Sequence, residues 1–295
     1  MNDTILRIAG RGDGVTADGR HAPFSAPGDT LRTDGVVVPG PHHAVPPCRH
    51  FPVCGGCQLQ HLDDESYAGF IIDRISGAIS THGLATEIRA PLLSPPRTRR
   101  RAALQAEMIG GRVRIGFSEG ASHALVDLEE CWVLTPTLFA LVAPLRALLS
   151  KLMKPKRRVR LHLAEADQGP ELLIEGIAAE GLAAAEAITA FAQRNGVARI
   201  AIDNGIGPEN RWEPEPVTIT LGGVPVALPY AAFLQATREG EAALVDAVRL
   251  AIGNAGPTAD LFAGLGTFAL ALPGRVYAAE GARDPIGALS GLSQN

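Results

Sequence analysis

The four cysteines of this 295-residue chain are not scattered. Cys48, Cys54 and Cys57 fall within ten residues, in CRHFPVCGGC, and Cys131 stands alone downstream in DLEECWVLTP. Thiolates are soft ligands, and Gly55-Gly56 lets the backbone fold back so that the sulfurs face one point. The pattern suits a metal or iron–sulfur loop completed by one remote thiol. Tetrahedral zinc competes, because four thiolates satisfy it as well. Zinc ribbons present two separate close pairs, however, and three plus one favours a cubane cluster. His50 and His61 lie beside the thiols and read as hydrogen-bonding or surface residues rather than as ligands.

A second constellation is DLFAGLGTFALAL, residues 260–272, where glycines follow an apolar strand and allow close backbone approach to a nucleotide. Glu280 closes the next strand, in VYAAEG. Its carboxylate and the phenylalanine directly before the glycines suit the ribose of S-adenosylmethionine. Ala269 can stand for the third glycine of a dinucleotide motif, so NAD stays open. Basic residues gather at Arg97, Arg99, Arg100 and Arg101, and again at Lys151, Lys154, Lys156, Arg157, Arg158 and Arg160. Each run is either solvated surface or a local phosphate track.

The elements that must position these groups follow from pattern. Glycine-punctuated extended pieces over residues 1–45 predict a small β unit, and Pro39 to Pro47 predicts a linker. Tyr67, Ile71, Ile75, Ala78 and Ile79 recur at helical spacing, with Asp63 and Asp64 in front and Gly83 behind. Strand pairs are predicted around Gly110-Gly111, between Val159–Leu163 and Leu172–Ile177, and around Gly222-Gly223. Thr135-Pro136 opens a helix, and a further helix runs to about Asn195 before the strand Arg199–Ile202. After Pro229 the order becomes helix, apolar strand, glycine turn, helix, strand, the start of a parallel wound sheet. The fold class expected is therefore α/β with α+β, in three parts: residues 1–45, 46–228 and 229–295.

Residues are 46% hydrophobic and 20% charged, and the net charge is −4. No apolar run approaches the ~20 residues that span a bilayer, and no secretory signal opens the chain, so a cytoplasmic protein with reduced thiols and no membrane partner is expected. The net negative charge excludes a globally basic nucleic-acid binder, so any RNA contact must come from local patches.

The order of the cysteine loop with QLQH, SPPRTRRRAALQAEM, Cys131, PYAAFLQA and DLFAGLGTF resembles the iron–sulfur RNA (uracil-5-)methyltransferases of the 23S rRNA 5-methyluridine type, over essentially the whole chain. The resemblance implies a shortened OB-like TRAM unit, a central iron–sulfur domain and the beginning of a Rossmann-like class I methyltransferase domain, with helix 63–82 packed on the latter. It implies a [4Fe-4S] cluster on Cys48, Cys54, Cys57 and Cys131, and S-adenosylmethionine held by Gln235, Phe262, Thr267 and Glu280. Ala236-Thr237 and Thr267 stand where asparagine is usual in that family. RNA, ribosomal rather than transfer, would be the substrate, and a monomer is expected.

In that family a thiolate adds to C6 of uracil and a glutamate base later removes the C5 proton, both from positions downstream of the ribose-binding glutamate. The four cysteines are already assigned to the cluster, and the chain ends soon after Glu280. The expectation is a C-terminally truncated member that lacks nucleophile and base. An inactive RNA-binding remnant and an iron–sulfur NAD oxidoreductase are the competing readings.

Overall fold

The computed structural model describes residues 2–253 and 256–290. The last five residues, on which part of the truncation argument falls, lie outside the described residues. The chain divides into two compact units, residues 1–93 with 117–126 and residues 94–116 with 127–295.

The first unit opens with β1 (Asp3–Ile8), β2 (Gly14–Thr16), β3 (His21–Ala22), β4 (Thr30–Leu31) and β5 (Val37–Val38), paired antiparallel in the order β3-β2-β1-β4-β5. The central β1 is bulged between Ile5 and Arg7, and Ile5, Ala22 and Leu31 bury a small core beneath this half-barrel. Asp29 pins its far end: the buried carboxylate accepts from the amides of Ala26 and Gly40, both at 2.7 Å, and pairs with His43 Nδ1 at 2.7 Å. Helix α1 (Asp64–Thr81) begins where Asp63 accepts from the Ser66 amide and stops at His82, just before Gly83. Its Phe70 packs on Ile8, Ala26 and Leu62, and Arg74 donates to the Gly10 carbonyl at 2.9 Å. Within this unit α1 is therefore fastened to the β unit.

Most of a seven-stranded sheet lies in the second unit, and residues 117–118 and 125–126 of two of its strands belong to the first. Its strands are β6 (Arg101–Ile109), β7 (Arg112–Ser118), β8 (Leu125–Asp127), β9 (Arg158–Ala166), β10 (Gly169–Glu175), β11 (Arg199–Asp203) and β12 (Pro208–Trp212), ordered β12-β11-β10-β9-β6-β7-β8. All the central pairings are antiparallel except β10 with β11. Side chains alternate across a pleated strand. Leu104, Ala106, Met108, Val159, Leu161, Leu163 and Ile174 accordingly share the buried face, and β9 and β11 meet α2 (Pro136–Ala140) and α4 (Leu182–Asn195). Thr135 caps α2 with Pro136 at its first position, but the single helix expected there is broken at Leu141, and α3 (Val142–Leu152) follows. The strand β12 carries no alternating apolar signal, which is why the pattern missed it.

The hairpin β13 (Thr218–Leu221) and β14 (Val224–Ala227) turns at Gly222, whose φ is 56° and where an added Cβ would lie 2.3 Å from the Leu270 carbonyl oxygen. Then come α5 (Arg238–Ile252), β15 (Thr258–Leu261), β16 (Val276–Ala279) and α6 (Arg283–Ser290). β15 and β16 pair in parallel, Thr258 opposite Val276, as expected. The expected helix between them is absent as a regular element; residues 262–274 form successive turns with mixed hydrogen bonds such as Gly266 to Ala263 and Leu270 to Gly266. Positive φ at Gly264 and Gly266 interrupts the helical ladder at its start.

Candidate functional site

The cysteine loop is shaped by its own backbone. The Cys54 amide donates to His50 at 2.9 Å, Gly55 to Ser118 at 2.9 Å, and Gly120 to Val53 at 3.2 Å, so the loop is stitched to residues 118–120. The glycines are needed for this approach: a Cβ at Gly55 would stand 2.6 Å from the Ser118 oxygen, and one at Gly56 2.8 Å from the Phe117 ring. Cys54 and Cys57 line a cleft of about 380 Å³ with Arg11, Asp13, Phe24 and Glu119.

None of the four cysteines is in a disulfide, and Cys131 belongs to the second compact unit while the other three belong to the first. Among the described residues no group of three or more His, Cys, Asp and Glu side chains could hold a metal ion. As placed, Cys48, Cys54 and Cys57 of the first unit do not by themselves form such a group. Spacing alone permits convergence without requiring it, because backbone hydrogen bonding decides where each sulfur points. His61 is not at a ligand position either: it is 1% exposed, its Nε2 lies 3.3 Å from the Ser25 carbonyl, and it stacks on Phe51. Burial holds its pKa below the ordinary histidine value.

The candidate donor-binding residues occupy three pieces of the second unit. Gln235 lies on the loop 229–237, Phe262 and Thr267 on the glycine turn, and Glu280 at the end of β16. Leu234 and Leu265 belong to one apolar cluster with Ile219, Leu221, Val226 and Leu228, so the β13–β14 hairpin is the shared footing of the loop and the turn.

Three arginines fix that loop. Arg100 is 1% exposed; its Nε donates to the Gln235 carbonyl at 3.1 Å, its amide donates to Ala236 at 2.9 Å, and its guanidinium pairs with Glu241 of α5. Arg101 donates to the Leu234 carbonyl and lies 4.7 Å over the Phe233 ring. Arg199 pairs with buried Glu171, donates to the Leu228 carbonyl at 2.6 Å, and lies 4.4 Å over Tyr230. Arg100 and Arg101 are thus neither solvated surface nor a bare phosphate track. They scaffold the loop, a role invisible to composition because their partners are carbonyls more than a hundred residues away.

At the glycine turn, Phe262 adopts φ 62° and is 90% exposed. Strain of this kind concentrates at ligand-binding turns. The Glu280 carboxylate accepts from the Gly264 amide at 2.8 Å and the Ala282 amide at 2.7 Å. These donors hold its pKa below the usual carboxylate value. An ionised carboxylate has about four acceptor positions, so acceptor capacity is left for a hydroxyl donor. The same turn is braced from the other side by Asp260, which accepts from the Ala269 amide at 3.0 Å.

No protein-family model matches the chain. An RNA methyltransferase of Zymomonas mobilis is 49% identical over 97% of this chain and 72% of its own length. A 23S rRNA (uracil-C5)-methyltransferase of Pectobacterium atrosepticum is 31% identical over 83% of this chain and 56% of its own. Among solved structures, the Pyrococcus abyssi tRNA (uracil-54, C5)-methyltransferase in complex with S-adenosyl-L-homocysteine matches all of this chain and 76% of its own, with a TM-score of 0.70 at 20% identity. That likeness shows a shared fold, and the Zymomonas relative establishes kinship: the chain belongs to the RNA methyltransferase family.

Proposed function

We propose that the protein acts in S-adenosylmethionine-dependent methylation of uridine C5 in RNA, ribosomal rather than transfer. The observation that carries this is the donor site: an amide-held carboxylate at Glu280 beside a strained glycine turn, with an arginine-fixed loop presenting Gln235 on the same apolar footing. The name of the Pectobacterium relative supports uracil C5 and 23S rRNA.

In this reading Glu280 accepts from the ribose hydroxyls, Phe262 covers the adenosine, and Gln235 with Thr267 contacts the remaining polar groups of the donor. C5 of uracil is a poor nucleophile until a thiolate adds at C6, and the base must leave its stack to be reached. The chain has four cysteines, all in the CxxxxxCxxC loop or at Cys131. We assign none of them to C6 addition. Residues 1–45 and 46–228 would then serve RNA contact and positioning, and residues from 229 onward donor binding. The spacing of the cysteines supports a [4Fe-4S] cluster, a reading on which no step of methyl transfer depends.

The test uses tritiated S-adenosylmethionine and unmodified ribosomal RNA. Donor binding by equilibrium dialysis is expected. Tritium methyl accumulating at uridine C5 would support the methylation reading and overturn the assignment of none of the four cysteines to C6 addition. Absence of any donor binding would sink the methyltransferase reading of the site.

A further inference from the structure

The break between α2 and α3 borders a second cleft, of about 630 Å³, lined wholly by residues of the second unit. A space of that size suits a small-molecule ligand. Its walls are largely apolar, with Val113 and Leu128 on the strand side and Phe139 and Val142 on the helices. Ala140 and Ala143 are exposed there, and their small side chains keep the space open.

The polar groups of the cleft are few and held in place. Arg146 of α3 is half-buried, and its Nη2 donates to Asp127 Oδ1 at 2.8 Å and to the Leu128 carbonyl at 2.6 Å. One nitrogen thus fixes the guanidinium, and the donors on Nε and Nη1 stay unused. Asp127 is fixed in turn, because the same carboxylate oxygen accepts from the Ile115 amide at 2.9 Å. Arg112, at the start of β7, lines the same cleft and has no side-chain partner among the described residues.

The charges select the occupant. Two guanidinium groups call for an anion, while the carboxylates of Asp127 and Glu129 in the same lining oppose a dianion or a polyanion. What remains is a single negative charge. The apolar walls add a hydrophobic body beside it, which a run of nucleic-acid phosphates does not offer.

We propose that this cleft binds a small organic monoanion, a carboxylate carried on an aromatic or branched apolar body, with the carboxylate against Arg112 and Arg146 and the body against Phe139, Val142 and Leu128. Arg146 is already held in position, so its donors lose little freedom on binding. The site is independent of the RNA methylation reading and stands or falls without it.

The experiment is isothermal calorimetry of the full chain with phenylbutyrate and with isocaproate. Binding of either carboxylate is expected, and phenylbutanol, which keeps the body without the charge, should bind about tenfold more weakly. Arg112→Gln, at an exposed hairpin end, should weaken carboxylate binding about fivefold. Ala143→Phe fills the cleft from an exposed position and should abolish it. Arg194→Gln, on α4 and outside the lining, should bind like the unmodified protein. Unchanged thermal midpoints in these variants separate a lost site from a lost fold. Binding of neither carboxylate, equal affinity for the alcohol, or unchanged binding in both Arg112→Gln and Ala143→Phe overturns the site. Tighter binding of a short oligouridylate that Arg112→Gln weakens would overturn it as well, by making the cleft a phosphate site.

Discussion

The cysteine loop and the arginine run 97–101 are each dense in one residue type, and the protein holds them in opposite ways. Three of the four thiols lie in a backbone-stitched loop of the first unit. The arginines of the second unit reach into the fold and capture carbonyls of the loop that carries Gln235. A thiol is a small, weak hydrogen-bonding group, so a run of cysteines is organised mainly by what it binds. A guanidinium carries five donors on a long stem and can organise a distant backbone by itself.

The sharpest way to break this contrast is to remove the buried guanidinium. Arg100→Met should leave Glu241 without its partner and the Gln235 carbonyl without its donor, costing about 3–5 kcal/mol as measured by urea unfolding. Donor affinity should fall with it. A variant that unfolds like the native protein would mean the arginine run is dispensable.

The cysteine side is probed next. Gly56→Ala pushes a methyl into the Phe117 ring and should destabilise the first unit by about 1–3 kcal/mol in the same assay. On the thiols, iron and sulfide analysis of anaerobically purified protein, with Cys54→Ala beside it, separates the two organising principles. Bound iron lost in the variant is the result expected from the spacing; stoichiometric zinc, or no metal, would reject the cluster.

A smaller effect distinguishes the units by pH. Burial lowers the His61 pKa, so the unfolded chain takes up the proton first as pH falls. Stability from this group is full above the ordinary histidine value and is lost as pH drops below about 6.5. The thermal midpoint of the first unit should fall from about pH 8 to about pH 5, and His61→Phe should flatten that dependence. The half-buried pair His42–Asp63 acts in the opposite sense, since Asp63 raises the His42 pKa. Closer to solvent than His61, it should contribute less.

The smallest expected effect on fold is at Glu280. Glu280→Gln keeps the shape of the exposed turn but loses the charge, so stability should hardly move while S-adenosyl-L-homocysteine binding weakens by several fold in calorimetry. Its lowered pKa adds a second check. The contribution of the ionised carboxylate is present above the ordinary glutamate value and is lost as pH falls through the depressed folded value, and the variant should lack that acid limb.

Much of the fold was legible because local signals agreed. Asp63 and Thr135-Pro136 announced their helix starts, and the Gly110-Gly111 and Gly222-Gly223 turns fixed their hairpins. The parallel pairing of β15 with β16 followed from the change of grammar after Pro229. What failed locally was the helix after the glycine turn, where positive φ at Gly264 and Gly266 leaves a chain of turns, and the edge strand β12, whose exposed residues carry no pattern. Of the candidate site, Gln235 and Glu280 are proposed from motif, whereas Arg100, Arg101 and Arg199 as supports of the 229–237 loop carried no local signal.

The sequence by itself determined the family and the hairpins, because those depend on residue types within a few positions of one another. Only the tertiary structure decided that the cysteine loop is stitched by its backbone to residues 118–120 and that Arg100 and Arg101 hold the carbonyls of the Gln235 loop. Each of these depends on which backbone groups meet across more than fifty residues, and hydrogen-bond satisfaction at that range is set by packing, not by spacing.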